Sequence, residues 1–400
     1  MKRLVMFMDG TWNRPEANTN VWRSKLLVAD EAADEAADEA ADPIKQVAYY
    51  REGVGSKWYT RISGGAIGAG LSDNVAHAYG WLMEHYREGD QVFLFGFSRG
   101  AFTARTLAGM IARCGLLHPG APLSVGEVFR RYRDSKPGSA GAGRSLRELT
   151  WLSDEEKSRL PQLDRWLLVH SRLIDIHFIG VWDTVGSLGI PVGAVRGLSQ
   201  SNQFHNTNPS VLYKNMFQAL AIDEHRSPYR ANLWTGFQPE GKELTMPKPD
   251  QKLEQRWFIG AHSNVGGGYR SDPLALVPLA WLLAKAAECG LELKRTLPLT
   301  GDEHMAAVRD SFAEFLNGVY RVIRLGRRHY RPIGAEPRPT KSKPGLSHNL
   351  KETIDKSVIL RWQADSDYRP KNISNWAESV GLDLDTLSLD GRDHVIARQE

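Results

Sequence analysis

The sequence predicts an α/β protein: a mostly parallel central sheet with helices on both faces and a helical insertion. Three observations predict it. Apolar runs of strand length at residues 4–8, 44–50, 91–95, 173–182 and 255–260 recur along the chain, with stretches of helical apolar period after several of them. Polar and acidic groups stand just past the ends of those runs, where open α/β sheets collect their functional side chains. The pentapeptide Gly96-Phe97-Ser98-Arg99-Gly100 lies between one apolar run and a helix-period stretch. A turn sharp enough to lift a serine hydroxyl clear of the backbone leaves no room for side chains at the two flanking positions, so this is the pattern of a nucleophile elbow. A plain helix cap by Ser98 is the competing use of the same residues.

Taken in order, residues 4–8 read as a buried strand and Asp9-Gly10-Thr11-Trp12-Asn13 as the loop leaving it. Residues 29–42 repeat Asp-Glu-Ala-Ala, which favours helix but lacks a wide apolar face, and are expected to be a solvated insertion or a mobile segment. Residues 44–50 supply the second strand. The glycines from Gly53 to Gly70 match neither a dinucleotide fingerprint nor a P-loop, and are expected to form a loop beside the active centre. Ser72 can cap a helix that places Val75, Tyr79, Leu82, Met83 and Tyr86 on one face. Strand, strand, helix, strand, helix is the order of a parallel sheet with crossover helices. Residues 116–168 carry little strand pattern and read as broken helices around a flexible loop, an insertion suited to a lid, a substrate wall or a surface excursion. Residues 173–182 form a strand ending at Asp183, residues 215–223 a short helix, and residues 255–260 a strand ending before His262. Residues 274–289 form an apolar helix. From about residue 291 no sheet element is expected, which divides the chain into a core at 1–290 and an extension at 291–400 that packs on it.

Composition narrows the class. Among 400 residues, 42% are hydrophobic, enough for a large core. A formal charge of +4 gives no reason to expect a nucleic-acid partner. Five arginines, Arg321, Arg324, Arg327, Arg328 and Arg331, crowd one stretch, but without interleaved aromatics they suit a solvated face or an oligomer contact better than a phosphate site. Two cysteines, Cys114 and Cys289, exclude a disulfide framework. The opening apolar run is too short for a signal peptide, and no stretch reaches the roughly 18 apolar residues of a membrane span. A cytoplasmic protein is expected, with export by a signal-independent route left open.

An unassisted serine hydroxyl is a poor nucleophile near neutral pH and needs a base, which in turn needs orienting. Ser98, Asp183 and His262 follow the order nucleophile, acid, histidine, each just beyond a predicted strand. Asp223 is the alternative acid and His225 the alternative base, although His225 and Arg226 beside Asp223 also suit a salt-bridged corner. The oxyanion donors would be the Arg99 amide at the helix start and Gly10 or Thr11 in the first loop, which Asp9 would brace. No spacing for a metal site is present, and no cofactor is expected.

Five ordered motifs carry a resemblance: Asp9-Gly-Thr-Trp-Asn13, Gly96-Phe-Ser-Arg-Gly-Ala101, Gly180-Val-Trp-Asp-Thr-Val185, Ala221-Ile-Asp-Glu-His-Arg226 and Gly260-Ala-His-Ser-Asn-Val-Gly-Gly-Gly-Tyr269. The chain resembles the DUF2235 family of α/β-hydrolases, which includes the type VI secretion lipase effectors of the Tle1 kind. The resemblance implies an α/β-hydrolase core with a Ser98, Asp183, His262 triad and, for effector members, hydrolysis of glycerophospholipid acyl esters with peripheral membrane contact. Unlike those effectors, the chain shows no long membrane-anchoring insertion. Hydrolysis of a soluble ester, amide or thioester is the alternative within enzymes. A non-catalytic toxin or defence subunit is the alternative outside them. An oligomer is compatible with either.

Overall fold

The computed structural model describes residues 1–10, 13–29, 44–53, 64–134, 143–186, 207–340 and 344–398. Eight strands form the main sheet: β1 (Arg3–Met8), β2 (Gln46–Arg51), β3 (Gln91–Phe97), β4 (Ile176–Trp182), β5 (Tyr213–Ala221), β6 (Lys252–Phe258), β7 (Glu352–Asp355) and β8 (His394–Ile396). Their spatial order is β8-β7-β6-β5-β4-β3-β1-β2. Every neighbouring pair is parallel except β7 with β8.

The continuous apolar runs follow from burial on both faces. Leu4, Met6 and Met8 of β1 pack on helices α2 (Gly64–His85) and α3 (Arg99–Cys114), while Val5 and Phe7 pack on α1 (Asn20–Leu27) and, with β3 and β4, on a long apolar helix, Leu276–Glu288. A third cluster joins Leu220 and Trp257 of the sheet to Ile354, Val358, Trp362 and Trp376 near the carboxyl end of the chain. The chain leaves β1 for β2 on one side and returns to β3 on the other. The crevice beyond the carboxyl ends of β1 and β3 is therefore a topological switch point, where ligands of open α/β sheets bind.

Four expectations change. Residues 215–223 lie mainly in β5 rather than in a helix. Met216, Gln218, Ala219 and Leu220 are good helix formers, but hydrogen bonding between β4 and β6 overrides that preference. The extension after residue 290 is not confined to packing outside the sheet, because it supplies β7 and β8. Each is short, and β8 carries only three residues, so neither shows a periodic signal. Gly64 to Gly70 belong to α2 rather than to a loop, and residues 54–63, like the acidic repeat at 30–42, fall outside the described residues.

The insertion at 116–168 is not a lid in its described part. It enters at Leu116–Leu117 and leaves at Ser171–Arg172, which pair with each other just before β4 begins. Its helix Val125–Asp134 meets the far end of α3: the Val128 carbonyl and Arg131 Nη1 face Cys114 Sγ, at 3.9 and 3.4 Å. Ser98 stands at the other end of α3.

Candidate active site

Ser98 follows the last residue of β3 and precedes α3, and its backbone holds φ 57° and ψ −121°, a conformation rare for any residue with a side chain. Such strain costs on the order of 1–3 kcal/mol and persists only where surroundings enforce it. Here they do. The Ser98 amide donates to the Trp182 carbonyl of β4 at 3.0 Å. A Cβ on Gly100 would lie 2.0 Å from the Met8 carbonyl oxygen, and one on Gly96 2.6 Å from the Gly100 oxygen, so the helix start nests against β1 and against β3 only with both glycines. Although Ser98 holds the N-cap position, its side chain makes no capping bond. The hydroxyl turns instead to His262.

His262 opens the short helix His262–Gly266 after β6, and Asp183 ends β4 with its amide bonded to the Ala219 carbonyl at 2.8 Å. His262 Nε2 stands 2.8 Å from Ser98 Oγ and Nδ1 stands 2.5 Å from Asp183 Oδ2. With the ring proton on Nδ1 facing the carboxylate, Nε2 accepts from the serine hydroxyl. All three residues are buried. Phe97 lies against one side of the imidazole, with ring centroids 4.6 Å apart, and Tyr229 meets it edge-on at 5.1 Å.

The carboxylate of Asp183 has a second partner that sequence reasoning missed. Arg331 donates from Nη1 to Oδ1 at 2.5 Å and from Nη2 to Oδ2 at 3.0 Å, and Nη1 also reaches the Ala221 carbonyl. The Ala221 amide donates to Oδ1 at 3.0 Å. Burial alone would raise the Asp183 pKa, but Arg331 and His262 outweigh it and hold the carboxyl well below the usual range. Burial pushes the His262 pKa down, against the pull of Asp183, so the imidazole stays neutral at neutral pH. A neutral imidazole, an ionised acid behind it and a serine hydroxyl in front can move a proton off Ser98 and return it.

Asp223, the alternative acid, ends elsewhere. It accepts from the Gly260 amide at 2.7 Å and the Tyr368 hydroxyl at 3.1 Å, and burial raises its pKa. It braces the turn before His262 without touching the ring. The salt-bridged corner beside it is made by Glu224, whose carboxylate takes Arg226 in a fork at 2.8 and 2.7 Å and also accepts from the His262 amide at 3.3 Å. His225 Nδ1 faces the His329 carbonyl at 3.1 Å, and it is His262, not His225, whose ring nitrogen faces Ser98 Oγ. A cleft of about 510 Å³ opens beside Asp223 and His225, lined also by Arg309, Arg361 and Lys371 but by none of Ser98, Asp183 and His262.

Asp9 organises the first loop: it accepts from the Gly10 amide at 2.7 Å, Thr19 at 2.8 Å and Tyr50 at 2.9 Å. Gly10 packs so tightly on the elbow that a Cβ there would sit 3.2 Å from Ser98 Cβ. Its amide is taken by Asp9, however, so the expectation that Gly10 is a second oxyanion donor is not met in this geometry. Thr11, the other candidate in that loop, lies outside the described residues. Arg99 opens α3 directly after Ser98. Among the described residues no group of three or more His, Cys, Asp or Glu could hold a metal ion, and no helix is long and apolar enough to cross a membrane.

A mostly parallel sheet carrying a strained serine after β3, an acid after β4 and a histidine after β6 defines an α/β-hydrolase architecture. Residues 2–285 match the family described as "T6SS, Phospholipase effector Tle1-like, catalytic domain", and the chain belongs to that family. It is 27% identical over 255 residues to the uncharacterized protein YEL023C of Saccharomyces cerevisiae, a match that takes in 58% of this chain and 33% of the yeast protein. Among solved structures it is similar to the Tle1 effector bound to the VgrG spike of the type 6 secretion system, at 19% identity and a TM-score of 0.33, covering 68% of this chain and 52% of that one. An uncharacterized protein from Pseudomonas aeruginosa is 17% identical with a TM-score of 0.39, covering 78% and 49%. The chain thus spans about a third of the yeast relative and about half of each solved structure.

Proposed function

We propose that this chain is a serine hydrolase that cleaves acyl esters of glycerophospholipids through an acyl-enzyme on Ser98. The observation that carries the reading is the chain of contacts from Ser98 Oγ to His262 Nε2 at 2.8 Å and from Nδ1 to Asp183 at 2.5 Å, on a strained elbow. His262 takes the hydroxyl proton as Oγ attacks the ester carbonyl carbon. Negative charge gathers on the former carbonyl oxygen beside the Arg99 amide and the helix dipole, with a second donor supplied by the loop holding Thr11. The tetrahedral intermediate collapses, the ester C–O bond breaks, and His262 gives its proton to the departing alcohol. Water, deprotonated by the same imidazole, then releases the fatty acid and restores Ser98. Asp183 holds the tautomer and stabilises the imidazolium.

Membership of a phospholipase effector family supports the lipid substrate. Delivery by a signal-independent secretion system would follow from membership of the same effector family. The test compares a short-chain nitrophenyl ester with phosphatidylglycerol or phosphatidylethanolamine vesicles. Turnover of both is expected, with loss on Ser98→Ala. Turnover of the soluble ester with none of either lipid would move the substrate to a soluble ester, and full activity in Ser98→Ala would overturn the mechanism.

A further inference from the structure

Four of the five clustered arginines separate from the one that serves Asp183, and they lie in an unusual apolar setting. The single-turn helix Val319–Ile323 turns Tyr320 inward and places Val319, Val322 and Ile323, spaced three and four residues apart, on its outer face. Val322, Ile323 and Leu325 are 73%, 65% and 80% exposed, and Leu316 and Val319 are exposed beside them. Apolar side chains of this size seldom gather at a protein surface without a partner. Arg321, Arg324 and Arg327 alternate with them and are exposed, and none forms an ion pair among the described residues, whereas Arg328 is held by Asp310 at 2.5 Å.

The inner side of this segment reaches the reaction centre through a chain of edge-on ring contacts. Tyr320 meets Phe315 at 5.4 Å, Phe315 meets Tyr229 at 6.0 Å, and Tyr229 meets His262 at 5.1 Å. The guanidinium of Arg226 lies over both Tyr229 and Phe315, pinning that wall. An exposed apolar ridge, interleaved with cations and joined to the site by a rigid aromatic wall, suits one kind of surface. Apolar side chains enter the acyl boundary of a bilayer while arginines stay at the level of the headgroups, and anionic headgroups complement their charge.

We propose that residues 316–327 form a docking edge that seats the Ser98–His262 site on an anionic phospholipid bilayer. The inference deepens the lipid-hydrolase reading and rests on it for its purpose, yet binding is measurable without turnover, so either can fail alone. The experiment is co-sedimentation of the full chain carrying Ser98→Ala with vesicles of phosphatidylcholine, and of phosphatidylcholine mixed with phosphatidylglycerol. Binding is expected to favour the mixed vesicles and to weaken with salt. Arg321→Gln, Arg324→Gln and Arg327→Gln together should weaken it roughly 100-fold, at about fivefold each. Val322→Ser with Leu325→Ser should weaken it about tenfold or more, through lost insertion. Both variants change exposed side chains, and an unchanged thermal unfolding midpoint verifies that each is folded. No binding to either vesicle, equal binding to both, or parental binding by either folded variant would overturn the proposal. So would a dimer of the parent chain that dissociates on Val322→Ser with Leu325→Ser, since the ridge would then belong to a second copy.

Discussion

Asp183 and Asp223 stand just beyond neighbouring parallel strands, both buried, yet their carboxyl groups are driven in opposite directions. Asp183 meets a guanidinium and an imidazole and is held strongly acidic. Asp223 meets an amide and a phenol, and burial raises its pKa, although hydrogen bonds oppose that rise. Burial is common to both, so it does not distinguish them; a guanidinium in direct contact, which Asp183 has in Arg331, does. A strand-end acid thus acquires its role from the far side of the carboxylate as much as from the side facing histidine.

The largest expected effect breaks this comparison directly. Asp183→Asn should lower kcat on a nitrophenyl ester by about 10⁴-fold, because an amide favours the wrong imidazole tautomer. Asp223→Asn, away from the ring, should stay within about tenfold of the parent, since it disturbs only the bracing of the turn before His262. Steady-state kinetics on both variants check the pair, and a reversal of the two would exchange their roles.

Arg331 sharpens the comparison. Arg331→Met leaves a buried carboxylate without its cation and should destabilise the fold by about 3–5 kcal/mol, measured by urea unfolding. Its second effect separates positioning from plain structure. Without the guanidinium, His262 feels more of the Asp183 charge, so the imidazolium is favoured and the acid limb of kcat/KM should move to higher pH. A variant that unfolds more easily but keeps the parental pH profile would reduce Arg331 to a structural role.

A smaller effect concerns the parent protein. The base works when neutral, and burial lowers the His262 pKa from 6.5, so kcat/KM should fall only as pH drops below that ordinary value. A stopped pH titration of initial rates checks the sign; an acid limb lying above 6.5 would contradict it.

Much of this site was legible in the sequence because its chemistry is local. The elbow needs two glycines beside one serine, and the acid and histidine directly follow apolar runs, so Ser98, Asp183 and His262 could be placed without any long-range contact. Asp9 was legible as the brace of its loop for the same reason. Arg331 was not. It lies 148 residues from Asp183, in a stretch where five arginines look alike, and only the fold singles one out. β5 was misread because its side chains favour helix and its strand character comes from the two neighbours that enclose it. β7 and β8 were missed because their few residues join a sheet already formed. The commitment of the Gly10 amide to Asp9 depends on a side-chain rotation that no spacing encodes.

In the proposed mechanism Ser98 becomes acylated with the help of Asp183 acting through His262. The direct measurement is reaction with a fluorophosphonate, followed by intact mass and peptide mapping. The proposed mechanism predicts one adduct, on Ser98, absent in Ser98→Ala, formed far more slowly in Asp183→Asn and at near-parental rate in Asp223→Asn. An adduct on another residue, or labelling unaffected by Asp183→Asn, would contradict it.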